Sequence, residues 1–348
     1  MITQVPGFEL PESALLSAET RIVLKTYRDY LTALTEEATK ADALTATANI
    51  DTATVDSSAV DKAETRQDQQ ENFYRGQYYK SLRKRYGVEI ETGQKGGVCT
   101  ETFIPAEGIT PNNQHRVLIN LHGGNFDSGS RTSSHMESIP VAALGKIKVI
   151  SVDYRMAPEH HFPAATDDVV AVYKALLQDY DADNIGIYGA SSGAHLTAQT
   201  LVRLQEEGIT LPGAVGMISE GATRMTGDSV SIGGALLKAT FDMDLVQALE
   251  TIEYLKEADL NSPQVTPAES DTCLSQFPPS LLMSSTRDFM LSSVVATHSA
   301  LIRLGVEADL HIWEGLDHIF HYNPDLPETR ELHQVTVRFF DKHLGGDA

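Results

Sequence analysis

A serine between two glycines is the residue of this sequence best suited to act as a nucleophile. Residues 189–193 read GASSG; they follow the apolar run 184–188 and precede the helical stretch 194–207. A sharp turn from strand to helix strains its central serine and packs backbone on both sides of it, so the positions two before and two after need to be glycine. The sequence therefore predicts such a turn, with Ser191 at its tip.

A serine hydroxyl is a weak nucleophile, and it needs a base to accept its proton and an acid to orient that base. His318 and Asp288 are the predicted base and acid, because each follows a predicted strand, 308–313 and 280–284, within a short loop. Reactive groups gather at the carboxyl ends of parallel strands. Glu220 also ends a strand-like stretch, and it remains an alternative acid.

A pair of glycines after another predicted strand could stabilise negative charge on a substrate carbonyl oxygen. Gly123, Gly124 and Asn125 follow the strand 116–121, and Ser192 begins the helix after the turn. Glycine lets the backbone approach a substrate closely, and N–H groups at a helix start are assisted by the helix dipole. These four residues are the predicted oxyanion hole.

The elements that must position these residues alternate between strand and helix. This alternation predicts an α/β fold, with a mostly parallel sheet and helices on both faces. The predicted strands are 98–104, 116–121, 147–152, 185–188, 280–284 and 308–313, and the predicted helices are 167–180, 194–207, 292–304 and 327–344.

Two further regions predict a helical cap over a pocket. Residues 1–92 are read as an N-terminal cap or lid region, mainly helical, in which the polar stretch 38–70 is either a loop or a marginal helix. Residues 93–348 are read as the catalytic domain, and 223–267 interrupt its alternation as a cap insertion that includes a predicted helix, 245–255.

Composition excludes several classes of partner. The chain of 348 residues has 27 Lys and Arg against 48 Asp and Glu, a formal net charge of −21, which repels nucleic acids and anionic lipid headgroups. It has no run of about 18 apolar residues that would predict membrane insertion. The beginning of the sequence lacks a basic segment followed by an apolar one, so the prediction is a cytoplasmic protein.

The cysteines and a histidine pair predict no cofactor chemistry. Cys99 and Cys273 are far apart and in no metal-ligand spacing, which indicates reduced, unpaired thiols. His160 and His161 are adjacent, with no carboxylate or further histidine at a ligand spacing, so a structural role is predicted for them. The sequence therefore predicts neither a metal nor an organic cofactor.

Several ordered motifs together resemble the hormone-sensitive-lipase-like group of α/β-hydrolase esterases. The matching stretches are HGGNF at 122–126, VDYRMAPEHHFPAA at 152–165, the GASSG turn, FPPS at 277–280 followed by TRD at 286–288, and DHIF at 317–320. The sequence differs from the usual family pattern at Ala190 and Ser192, which replace Asp and Ala, and at Asn125, which replaces a third glycine.

The resemblance implies an α/β-hydrolase fold and a serine carboxylesterase that acts on short to medium acyl esters. It implies that Ser191 is the nucleophile, His318 the base and Asp288 the acid, and it is compatible with a homodimer, although the sequence does not fix the oligomeric state. Phe126 and Phe320 are the candidates for substrate contact, with packing in the core as the alternative. A lactonase or amide hydrolase with the same triad, and a non-catalytic ligand receptor on the same fold, remain alternative functions.

Overall fold

A central sheet organises the part of the chain that the computed structural model describes, which is residues 11–26, 59–241, 249 and 252–345. Its eight strands are ordered β1-β2-β4-β3-β5-β6-β7-β8. β2 pairs antiparallel with β1 and β4, and all pairs from β4 to β8 are parallel. The strands are β1 (Val88–Lys95), β2 (Val98–Pro105), β3 (Val117–Leu121), β4 (Lys148–Val152), β5 (Ile185–Ala190), β6 (Ala214–Ile218), β7 (Ser280–Ser285) and β8 (Ala308–Trp313).

Helices cover both faces of this sheet, which is why β3, β5, β6 and β7 are buried along their whole length. In β3, Ile119 packs into one hydrophobic core with the helices at 164–176, 192–206 and 291–303, whereas Leu118 packs into a second core with the helices at 77–85, 133–145 and 327–343. The helices are α1 (18–26), α2 (Ala59–Arg75), α3 (Gln77–Arg85), α4 (Ser133–Gly145), α5 (Ala164–Leu176), α6 (Ser192–Glu206), α7 (Asp228–Phe241), α8 (Asp271–Leu274), α9 (Leu291–Arg303) and α10 (Pro327–His343).

The predicted α/β fold is confirmed, with each predicted strand within two residues of an observed one. Strand β1 is absent from the prediction because it lies at an edge of the sheet and, of its residues, only Val88 is buried. The predicted boundary at residue 92 therefore falls inside a sheet strand. Of the predicted helix 245–255, the described residues include one 3₁₀ turn, Glu253–Leu255; residues 245–248 and 250–251, like 27–58, lie outside the described part of the chain.

The insertion between β6 and β7 packs on the loop that follows β7. A Cβ on Gly233 of α7 would lie 2.5 Å from the Cβ of Phe289, so the helix approaches this ring closely. Ser229 of α7 donates a hydrogen bond of 2.8 Å from its hydroxyl to the Phe289 carbonyl. Among the described residues, no helix is both long enough and apolar enough to cross a bilayer.

Candidate active site

The turn after β5 places Ser191 at the carboxyl end of the sheet, immediately before α6. Its backbone is in an unusual conformation, with φ 51° and ψ −128°. The two flanking glycines are required by the close passage of β3: a Cβ would lie 2.4 Å from the Leu121 carbonyl oxygen at Gly189 and 1.8 Å from it at Gly193. The Ser191 N–H donates to the Ile218 carbonyl of β6 over 2.8 Å, which fixes the strained turn.

His318 and Asp288 lie in line with the Ser191 hydroxyl. The Nε2 atom of His318 is 3.0 Å from the Ser191 Oγ, and its Nδ1 atom is 2.7 Å from the Asp288 Oδ1. Asp288 is buried and accepts two further hydrogen bonds of 2.8 Å, one from the Ser284 hydroxyl and one from the Met290 N–H. The arrangement can pass a proton from the serine to a histidine whose orientation the carboxylate fixes.

Glu220, the alternative acid, lies at the end of β6 and is also buried. Its Oε1 atom is 3.4 Å from the Nδ1 atom of His195, a histidine in the first turn of α6. Because the Nδ1 atom of His318 is engaged by Asp288, Glu220 does not occupy the triad position in this structure.

The loop after β3 borders the same cavity as Ser191. Its carbonyl groups accept from within the protein: the Tyr154 hydroxyl donates to the His122 carbonyl over 2.6 Å, and the Ser128 N–H donates to the Gly124 carbonyl over 3.0 Å. Gly124 and Asn125 have positive φ values of 131° and 54°. In the described part of the chain, the N–H groups of these two residues and of Ser192 have no protein acceptor.

Gly123 differs from its neighbours in the predicted oxyanion hole, because its N–H donates to the Glu137 Oε1 over 3.0 Å. Its contribution to the site is the lack of a side chain. A Cβ at this position would lie 2.9 Å from the Ala190 carbonyl oxygen and 3.4 Å from the Ser191 Cβ, where a substrate carbonyl has to approach.

A cavity of about 340 Å³ opens at Ser191. The insertion and the β7 loop contribute apolar lining residues, Met225, Leu249, Phe289 and Met290. Polar residues that line it include Ser128, Ser133, Glu220 and Tyr322. The Phe289 ring packs on the His318 imidazole, with 4.1 Å between the ring centroids. Neither Phe289 nor Tyr322 was singled out from the sequence.

Phe126 and Phe320, the predicted substrate contacts, do not line this cavity. Phe126 is fully buried and stacks on Tyr254, with 4.7 Å between the ring centroids. Phe320 packs on Trp313 in the core on the other face of the sheet. Phe126 follows Asn125 and Phe320 lies two residues after His318, but neither ring points into the cavity. The alternative prediction, that both rings pack in the core, matches the structure.

No group of three or more His, Cys, Asp or Glu among the residues that the structure describes is arranged to hold a metal ion. Of the two adjacent histidines, His161 has its Nδ1 atom 3.1 Å from the Glu253 carbonyl oxygen, so it joins the loop after β4 to the insertion.

Comparisons with known proteins agree with this fold. A family model described as alpha/beta hydrolase fold matches residues 118–322. An acetyl-hydrolase of Streptomyces hygroscopicus is 32% identical over 72% of this chain and 84% of its own length, and an esterase of Acinetobacter venetianus is 27% identical over 70% and 79%.

Solved structures extend the similarity to almost the whole chain. The crystal structure of an esterase E25 matches with a TM-score of 0.78 and 28% identity, over 99% of both chains. That of an esterase from the bacterial hormone-sensitive lipase family matches with a TM-score of 0.71 and 26% identity, over 95% of this chain and 99% of the other. This chain therefore belongs to the α/β-hydrolase family and, within it, to the hormone-sensitive-lipase-like group of carboxylesterases.

Proposed function

We propose that the protein is a serine carboxylesterase that hydrolyses short to medium acyl esters through an acyl-enzyme on Ser191. The observation that carries this proposal is the position of His318, with one ring nitrogen 3.0 Å from the Ser191 hydroxyl and the other 2.7 Å from Asp288. A receptor that had lost catalysis would not need this alignment.

The proposed reaction has two acyl-transfer steps. The Ser191 Oγ attacks the ester carbonyl carbon while its proton passes to the Nε2 atom of His318, and the N–H groups of Gly124, Asn125 and Ser192 stabilise the oxyanion. The carbon–oxygen bond to the alcohol breaks as His318 returns the proton to it. Water then attacks the acyl-enzyme in the same way, and the carboxylic acid leaves.

The cavity supports a small substrate. Its volume of about 340 Å³ lies at the low end of the roughly 300–1,000 Å³ found for small-molecule sites. Its apolar wall suits a short acyl chain, and the similar protein of Streptomyces hygroscopicus is named an acetyl-hydrolase. We therefore place acetyl to butyryl esters first among the substrates.

Hydrolysis of a p-nitrophenyl ester series, acetate to laurate, tests both parts of the proposal. We expect Ser191→Ala and His318→Ala each to lower kcat by at least about a thousandfold, because either change removes the nucleophile–base unit. Thermal unfolding checks that both variants fold. Ser280→Ala is the control for removal of a serine hydroxyl, since Ser280 is buried and donates to the Pro278 carbonyl at the opposite end of the sheet.

The wild type should prefer acetate to butyrate over laurate. Full activity in Ser191→Ala would refute the serine mechanism, whereas a preference for laurate would refute only the substrate range.

A further inference from the structure

A buried carboxylate that the reaction does not use lies behind the loop after β3. Glu137, in α4, is 1% exposed and is the only charged residue of that helix. Its Oε1 atom accepts hydrogen bonds from the Gly123 N–H, over 3.0 Å, and from the Tyr322 hydroxyl. Its Oε2 atom accepts from the Asn120 side chain over 2.7 Å.

These three donors belong to parts of the chain that meet at the site. Gly123 directly precedes Gly124 and Asn125, the two proposed oxyanion donors of this loop, and Tyr322 lies in the turn that begins just after His318. The Tyr322 hydroxyl is 3.0 Å from the position of a Cβ on Gly123, so the loop and the turn are in contact at this point. Asn120, at the end of β3, in turn accepts from the Ser151 hydroxyl of β4 over 2.9 Å.

Burial of a carboxylate is costly, so its retention in a helix with no other Asp, Glu, Lys or Arg needs a reason. Burial raises the pKa of Glu137 to about 7, even though its hydrogen bonds with Tyr322, Gly123 and Asn120 oppose the rise. Two acceptor oxygens serve three donors here. An amide of the same shape has one acceptor oxygen and an NH₂ group, so at least one of these donors would lose its partner.

We propose that Glu137 is a positioning residue for the ester hydrolysis proposed above. Its carboxylate connects two segments and fixes the distance between them. One segment is the loop with the Gly124 and Asn125 N–H groups, and the other is the turn that directly follows His318. The oxyanion donors and the base then keep their geometry relative to Ser191 as charge develops on the substrate. The inference rests on the proposed function, because it assigns a role within that reaction.

Glu137→Gln tests the proposal with little change in shape. We expect kcat for p-nitrophenyl acetate to fall by about tenfold to a hundredfold, because a small displacement of the donors weakens transition-state stabilisation. KM should change less than about threefold, since the cavity wall is kept. Tyr322→Phe removes one of the three donors and should give a smaller fall in kcat with the same pattern.

Tyr188→Phe is the matched control. The Tyr188 hydroxyl donates to the backbone carbonyl of Glu137 over 3.2 Å, so this variant removes a buried hydrogen bond to the same residue without affecting its carboxylate. We expect its kcat to match that of the wild type. Equal kcat values in Glu137→Gln and Tyr188→Phe would overturn the proposal. So would a fall in the kcat of Glu137→Gln that is fully explained by a smaller fraction of folded protein, as measured by thermal unfolding.

A second readout separates this inference from the proposed function. A fluorophosphonate reacts with the nucleophilic serine through a transition state that also uses the oxyanion donors, and the rate of labelling at Ser191 can be followed by mass spectrometry. Slower labelling in Glu137→Gln supports the positioning role even where no ester of the series is hydrolysed. The two proposals can also fail separately. If Ser191→Ala loses esterase activity while Glu137→Gln keeps normal labelling and a normal kcat, the positioning role is refuted and the proposed function stands.

Discussion

Two buried carboxylates, Asp288 after β7 and Glu220 after β6, lie at the ends of adjacent strands and differ in their hydrogen bonds. Asp288 accepts from Ser284, from the Met290 N–H and from His318. The Oε1 atom of Glu220 has no hydrogen-bond partner in the described part of the chain. Burial, and then the charge of Asp288, raise the pKa of Glu220 well above its usual value.

The difference shows that a carboxylate at a strand end is not by itself a triad acid. Several donors favour the charged form of a carboxylate and fix its orientation, whereas burial without donors favours the protonated form. Only an ionised, fixed carboxylate can hold the correct tautomer of His318 and stabilise its charged form. The donors around Asp288, and not its burial, therefore support its assignment as the acid.

Asp288→Asn should produce the largest change. The amide can donate to the Nδ1 atom of His318 and so favour the wrong tautomer, and we expect kcat to fall by about 10³- to 10⁴-fold. The measurement is steady-state hydrolysis of p-nitrophenyl acetate, with thermal unfolding as the check of folding. A larger loss in Glu220→Gln than in Asp288→Asn would reverse the assignment of the acid.

The sequence predicts those parts of the site that depend on a local motif or on the topology of the sheet. Gly189 and Gly193 are needed because the backbone passes too close for a side chain, as it does in any strand-to-helix turn of this kind. His318 and Asp288 were expected together because parallel strands end at the same edge of the sheet, and the structure places both within hydrogen-bonding distance of their partners.

Features that depend on contacts between elements far apart in the chain could not be predicted from the sequence. The role of the Gly123 N–H depends on Glu137, which α4 brings to the loop, and the orientations of Phe126 and Phe320 depend on which core the backbone turns them toward. A lone carboxylate in the helix 133–145, which has no Lys or Arg, was a usable signal for Glu137. Its donors come from separate strands and turns, so no spacing in the sequence shows them.

Ser284→Ala should have an intermediate effect, because it removes one of the donors that distinguish Asp288 from Glu220. The Ser284 hydroxyl donates to the Asp288 Oδ2, on the oxygen that does not face His318. We expect a loss of about tenfold in kcat, in the range of one hydrogen bond to a charged group. Ser280→Ala, in the same strand but far from the site, is the control; equal kcat values in the two variants would show that this donor does not matter.

Glu220→Gln should have the smallest effect on activity, within about threefold in kcat, because a protonated carboxyl and an amide are both neutral. Its effect should appear in the pH dependence of stability. The titratable groups that face Glu220 are Asp288 and His195; burial lowers the pKa of His195, although the hydrogen bonds of its two ring nitrogens with the Gly221 and Val265 carbonyls oppose this fall.

The sign of that pH dependence follows from the raised pKa of Glu220. The folded protein keeps a proton that the unfolded chain releases near pH 4.5, so the stabilisation from Glu220 is complete below that pH and is lost as the pH rises through the folded pKa. Glu220→Gln does not titrate, so its free energy of unfolding should increase relative to the wild type between pH 5 and pH 9, as measured by urea unfolding. A constant difference over this range would mean that Glu220 is ionised in the folded protein as it is in the unfolded chain, and that the two carboxylates are alike in charge.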